Sequence, residues 1–203
     1  MMSDLATPNL VYIIITIVIG LSIHEAMHAF TAHWLGDTTA QDEGRLSLNP
    51  LKHIDPLTTV ALPVITLVLF HVPILAAKPV PFNPARLKYD EFGAALVALA
   101  GPVTNLVLAI IGALLLHVAP TVAAGTFLVT FVELNVVIFI FNMIPIPPLD
   151  GSRVLYAFAP EPVQDFMRQI EPYGIFLVFG LVLTGILIPL MTSLESTILQ
   201  LLP

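Results

Sequence analysis

The stretch NLVYIIITIVIGLSIHEAMHAFTAHW, Asn9 to Trp34, decides the class of fold. It is long enough to cross a bilayer, for which about 20 apolar residues are needed. Tyr12 and Trp34 stand near its two ends, where aromatic side chains favour the interface. Yet its second half carries His24, Glu25, His28 and His33. Ionisable groups in hydrocarbon cost several kcal/mol each, so they mark function by default.

The densest group is His24-Glu25-Ala26-Met27-His28. Histidines at i and i+4 share one helix face and can bind one zinc ion, and Glu25 beside them is placed to take a proton from zinc-bound water. The plain alternative is a histidine pair bonded to neighbouring helices. Three ionisable residues in five positions are hard to tolerate in lipid without a metal or a polar cavity, and this favours the metal.

The rest of the chain agrees with a membrane setting. Of 203 residues, 57% are hydrophobic and 10% charged, too apolar for an ordinary soluble domain. The absence of cysteine excludes a disulfide framework, a thiolate metal site and a cysteine nucleophile. A formal charge of −7 argues against nucleic acid as a partner. The first residues, Met1 to Pro8, lack the basic start of a signal peptide and no small-residue cleavage site follows, so the first apolar run is expected to stay as a helix.

Further spans are expected at Phe92–Val118, Val122–Ile144 and Tyr173–Met191. Leu57–Ala77 is apolar but holds Pro63, His71 and Pro73, which suits a broken, re-entrant element sheltered by protein. All seven Lys and Arg lie in three segments: Arg45 and Lys52; Lys78, Arg86 and Lys88; Arg153 and Arg168. If Leu57–Ala77 enters and returns, all seven face the cytoplasm, in line with the positive-inside rule. The expectation is an all-α membrane protein, a polytopic helical bundle of about four full spans plus one re-entrant or interfacial apolar element. Residues 1–203 form a single domain in contact with membrane lipid, with both termini outside. Within Phe92–Val118 the residues Ala94, Ala98, Gly101, Asn105, Ala109 and Gly112 recur at helical spacing. Such a stripe lets helices approach closely, and Asn105 can bond across the interface, so this helix is expected to wall the site.

A catalytic zinc usually has three protein ligands and an open position. Asp150 is the best candidate for the third, in Asn142-Met143-Ile144-Pro145-Ile146-Pro147-Pro148-Leu149-Asp150-Gly151. The prolines end the preceding helix and hold an extended turn, and Gly151 gives backbone freedom after the ligand. The alternative is that Asp150 caps the helix starting at Gly151. Depth favours the ligand: His24 and His28 lie in the inner part of the first helix, and Asp150 follows the inner end of Val122–Ile144.

HEAMH, AGPVTN at Ala100–Asn105 and NMIPIPPLDG at Asn142–Gly151, in that order, together resemble the site-2 protease family of intramembrane zinc metalloproteases. The resemblance implies that His24, His28 and Asp150 hold Zn2+, that Glu25 is catalytic and that Asn142 lies near bound substrate. It implies substrates that are membrane-spanning segments of other proteins, often regulators of transcription. Gly44–Pro56, GRLSLNPLKHIDP, is similar to the loop of short members without PDZ or CBS domains. The expected location is the cell membrane of a prokaryote, with the site towards the cytoplasm.

Other polar residues have plainer readings. Asn135 and Asn142, seven apart, share a helix face and serve substrate or helix–helix bonding. Glu133 sits near mid-membrane on another face, protonated or paired. His53 and His71 fit ordinary loop and helix-end roles better than accessory ones. Arg45–Asn49 alternates polar and apolar residues, so it reads either as an edge for an extended substrate or as a plain loop. Two rival functions are a transporter of divalent metal, in which Glu25 has no special importance, and a non-catalytic module that binds membrane segments. The intact HEAMH and Asp150 disfavour the second. The sequence indicates no oligomeric state.

Overall fold

The computed structural model describes residues 10–53 and 80–203. Among these residues the fold is all-helical. Helix α1 (Leu10–Trp34) is followed by the short α2 (Thr39–Asp42). The long helices α3 (Asp90–Leu116) and α4 (Val122–Asn142) come next. After a proline-rich turn, α5 (Asp150–Phe158) and α6 (Glu161–Ile170) form a short pair, and α7 (Gly174–Leu183) and α8 (Leu187–Leu201) complete the chain. The bounds of α1, α3 and α4 fall within two residues of those read from hydropathy. Among the described residues, four helical runs are long and apolar enough to cross a membrane: Leu10–Trp34, Asp90–Leu116, Val122–Asn142 and Glu161–Leu183. The protein is a multi-pass membrane protein.

Helix α3 is the hub and packs against α1, α4 and α5. Every member of its small-residue stripe is buried, so the stripe is the packing face. Ala109 and Ala113 of α3 meet Val132, Val136 and Ile140 of α4, and Ile198 and Leu199 of α8 cover them. Small side chains suit this role because lipid supplies no hydrophobic drive between helices and close backbone approach must supply the attraction. At the far end of α1, Ala32 packs with Leu87, Ala94 and Val97. There the Lys88 amide donates to Leu35 C=O at 2.8 Å, joining the end of α1 to the start of α3.

The structure departs from the sequence reading at Tyr173–Met191 and at Gly151, and at Arg45–Asn49 it takes the loop rather than the strand alternative. The expected last span, Tyr173–Met191, is not one helix. It breaks at Thr184–Ile186 around Gly185, whose φ of +70° suits glycine. The spanning run is instead Glu161–Leu183, and Leu187–Leu201 is a separate, shorter apolar helix. Arg45–Asn49 forms no strand. Its Ser47 amide bonds to Arg45 C=O, and Ser47 C=O faces His53 Nε2 at 2.7 Å, so the stretch is a turn tied to itself. Gly151 is helical and its backbone needs no special freedom. A side chain there would collide with Met143 C=O, a Cβ lying 2.3 Å from that oxygen, so glycine serves close packing. Leu57–Ala77, with His71, lies outside the described residues.

Candidate metal centre

The two histidines of HEAMH fall one turn apart on α1, both buried. Their Nε2 atoms lie 3.0 Å apart. Asp150 Oδ2 lies 3.2 Å from His24 Nε2 and 3.4 Å from His28 Nε2. Asp150 opens α5, but its side chain makes no capping bond. The capping role is not taken, and the carboxylate turns towards the imidazoles. What brings it there is the turn Met143–Leu149, in which the backbone is reversed by Ile144–Leu149 and the start of α5 is pressed on the end of α4 through Gly151.

Each imidazole is oriented from its other nitrogen. His24 Nδ1 meets Asn105 Oδ1 at 2.6 Å, and His28 Nδ1 meets Val97 C=O at 2.7 Å, both on α3. An acceptor at Nδ1 fixes the proton there in the neutral ring and leaves the Nε2 lone pair for a cation. Nitrogen donors and a carboxylate oxygen are a common donor set for zinc. In a tetrahedral site with bonds of about 2.0–2.1 Å, the ligand atoms stand about 3.3–3.4 Å apart. The observed separations of 3.0, 3.2 and 3.4 Å fit that spacing. Among the described residues this is the one group of His, Asp and Glu able to hold a metal.

Helix α3 closes one side of the group. A Cβ on Gly101 would lie 2.5 Å from His28 Nε2 and 2.6 Å from His24 Nε2. Only glycine lets the α3 backbone pass so near the two rings. Glu25 is also buried, and its Oε2 accepts from the Val80 amide at 3.0 Å. Sequence reasoning missed this partner and the Val97 carbonyl, because backbone groups carry no residue signature. Asn142 sits at the end of α4, with Nδ2 donating to Ile138 C=O of its own helix at 3.0 Å. Asn135, on the same helix face by spacing, instead bonds to Asn105 inside the bundle. Glu133 lines a separate cavity of about 190 Å3 with Leu199 and Leu202.

A His-His-Asp group within a membrane bundle, its histidines buried and a glutamate next to the first of them, defines a metallohydrolase class of site. The chain is 36% identical over 204 residues to "Putative zinc metalloprotease YwhC" of Bacillus subtilis, covering 94% of this chain and 90% of that one. It is 32% identical over 170 residues to a protein of the same designation, Rip2, from Mycolicibacterium smegmatis, covering 81% of this chain and 63% of Rip2. It thus spans somewhat less than two thirds of Rip2. No family model matches the chain. No solved structure matches it. The protein belongs to the zinc metalloprotease family that includes YwhC and Rip2.

Proposed function

We propose that this metalloprotease is an intramembrane endopeptidase of the site-2 type. In this reading His24, His28 and Asp150 hold the zinc, Glu25 is the general base, and the substrates are transmembrane segments of other proteins. The observation that carries it is the convergence of two Nε2 atoms and one Oδ2 atom, with both Nδ1 atoms engaged by α3. Both histidines lie on a helix long enough to span the bilayer, which favours a substrate that is itself in the membrane.

Zinc held by His24, His28 and Asp150 would supply Lewis-acid polarisation of the scissile carbonyl and a more acidic water. Glu25 would take a proton from the attacking water and pass it to the leaving nitrogen. The Val80 amide holds one oxygen of Glu25, which limits the carboxylate to a narrow range of directions. Helix α3 blocks one side through Gly101, so substrate approaches from elsewhere. A helical substrate must unwind before its carbonyl is accessible, because its amides are internally bonded. Asn142 at the end of α4 is our candidate for a contact with the unwound segment.

The proposed orientation puts the site towards the cytoplasm. Residues on either side of Leu57–Ala77 support it. Leu46 and Val80 pack in one cluster with Ala29 and Ala40, so both flanks lie at the same end of α1. Four of the six described Lys and Arg residues, Arg45, Lys52, Arg86 and Lys88, stand between the end of α1 and the start of α3, and Arg153 and Arg168 lie in the short helices α5 and α6. The test uses purified protein in detergent with single-span substrates, with and without chelator. Chelator should abolish cleavage. Glu25→Gln should keep zinc and lose cleavage by about 10² to 10⁴-fold, the usual loss for a general base. Undiminished cleavage by this variant would sink the mechanism, and metal flux without cleavage would favour a transporter.

A further inference from the structure

We infer that Asn105 and Asn135 form a positioning relay that sets the ring of His24 from two neighbouring helices and so tunes the affinity for zinc. The inference rests on the reading of His24, His28 and Asp150 as the zinc site. It begins from a difference between the two histidines. His28 is oriented by a backbone carbonyl, Val97 C=O, which the fold supplies whatever the side chain. His24 is oriented by a side chain, Asn105, whose amide has two unlike ends.

Two backbone carbonyls decide which end faces His24. Phe131 C=O can only accept, so Asn135 Nδ2 donates to it at 2.8 Å. Asn135 Oδ1 then faces Asn105, whose Nδ2 donates to it at 2.8 Å. The second hydrogen of that Nδ2 goes to Gly20 C=O at 3.2 Å. Asn105 Oδ1 is left at His24 Nδ1, 2.6 Å away, and His24 must donate. The ring then offers its Nε2 lone pair to the metal position. Reversing Asn105 would place its oxygen against Asn135 Oδ1 and Gly20 C=O, and reversing Asn135 would place oxygen against Phe131 C=O and nitrogen against Asn105 Nδ2.

Both asparagines are fully buried, and Gly20 makes room for them. A Cβ on Gly20 would stand 3.0 Å from Asn135 Oδ1. Buried amides are costly unless satisfied, and this pair is satisfied across three helices and ends on the ring of a proposed ligand. Asn135 touches none of the proposed ligands. It acts through Asn105, and its role is to position.

The test measures zinc affinity of the purified full-length protein by competition with a chromophoric chelator, and thermal unfolding of the zinc-free form. Asn135→Leu should weaken zinc binding about tenfold or more, the usual cost of losing a partner behind a ligand, with zinc-free unfolding little changed. Asn135→Ala, which adds no apolar bulk, should do the same and serves if the leucine variant does not fold. Asn135→Asp should bind near normally, because a buried neutral carboxyl keeps one donor for Phe131 and one acceptor for Asn105. Asn105→Leu should weaken binding at least as much as Asn135→Leu, and combining the two should cost little more. Unimpaired zinc affinity in Asn135→Leu and Asn135→Ala, equal loss in Asn135→Asp, or additive losses in the double variant would each overturn the relay. His24→Ala separates the levels: zinc binding unchanged in His24→Ala overturns the site itself, whereas loss there with none in Asn135→Leu overturns the relay alone.

Discussion

Gly101 shows how much one missing methyl decides. The α3 backbone lies against both imidazoles at a distance that a Cβ would reduce to 2.5–2.6 Å. Gly101→Ala must therefore push α3 from α1 or turn the rings. Inserting a methyl into a packed site typically costs about 1–3 kcal/mol. Zinc content of purified Gly101→Ala should fall well below one per chain, with a lowered unfolding temperature. Normal zinc content would mean that α3 yields without disturbing the rings. At this scale the sequence was legible where geometry is local. His24 and His28 share a face because they are four apart on one helix, and the carboxylate of Asp150 could be picked out by chemistry. A helix-capping role stayed open beside it, since both roles want an acidic residue beside a turn, and depth was what favoured the ligand. The partners of the imidazoles were hidden because those contacts join residues 81 and 69 positions apart.

Among elements, the join after α1 is held by one buried carboxylate. Asp37 accepts from the Thr39 amide at 3.0 Å, the Thr39 hydroxyl at 2.5 Å and the Asn83 amide at 2.6 Å. Burial raises the Asp37 carboxyl, but these bonds and the Arg86 charge outweigh it and lower it below its unperturbed 3.8. A lowered carboxyl stabilises the fold fully above the unfolded value and loses that contribution as pH falls through the folded one. The loss from Asp37 therefore begins below about pH 4. Thermal unfolding followed from pH 6 to pH 3 should show it, and Asp37→Ala should be less stable at pH 6 with a shallower acid decline. An unchanged acid decline in that variant would remove Asp37 from this role. The helices themselves were legible from hydropathy, since α1, α3 and α4 are continuous apolar runs. The break at Gly185 was not, because a left-handed residue inside an apolar run leaves the hydropathy unaltered.

For the whole molecule, the proposed topology places the flanks of Leu57–Ala77 on one face of the membrane. Single cysteines can test this cleanly, since the chain has none of its own. Probes at Ser47 and at Asn83 should both react with an impermeant reagent from the cytoplasmic side alone. Labelling from opposite sides would refute the topology and with it the cytoplasmic placement of all seven basic residues. The clustering of Lys and Arg into three segments was readable in sequence. Which loops meet was not, since that depends on contacts such as Lys88 with Leu35.

The histidines and the aspartate of the metal group come from opposite ends of the core, α1 and α5. A ribosome adding about 5–20 residues each second exposes HEAMH many seconds before Asp150 is made. During that interval the newborn chain has two imidazoles and no carboxylate to meet them, and α3 has yet to orient the rings. In the proposed reading the nascent protein is thus inert as it threads through the insertion machinery, crowded by other unfinished membrane helices. A messenger truncated ahead of Asp150 would yield the complete first helix and no protease.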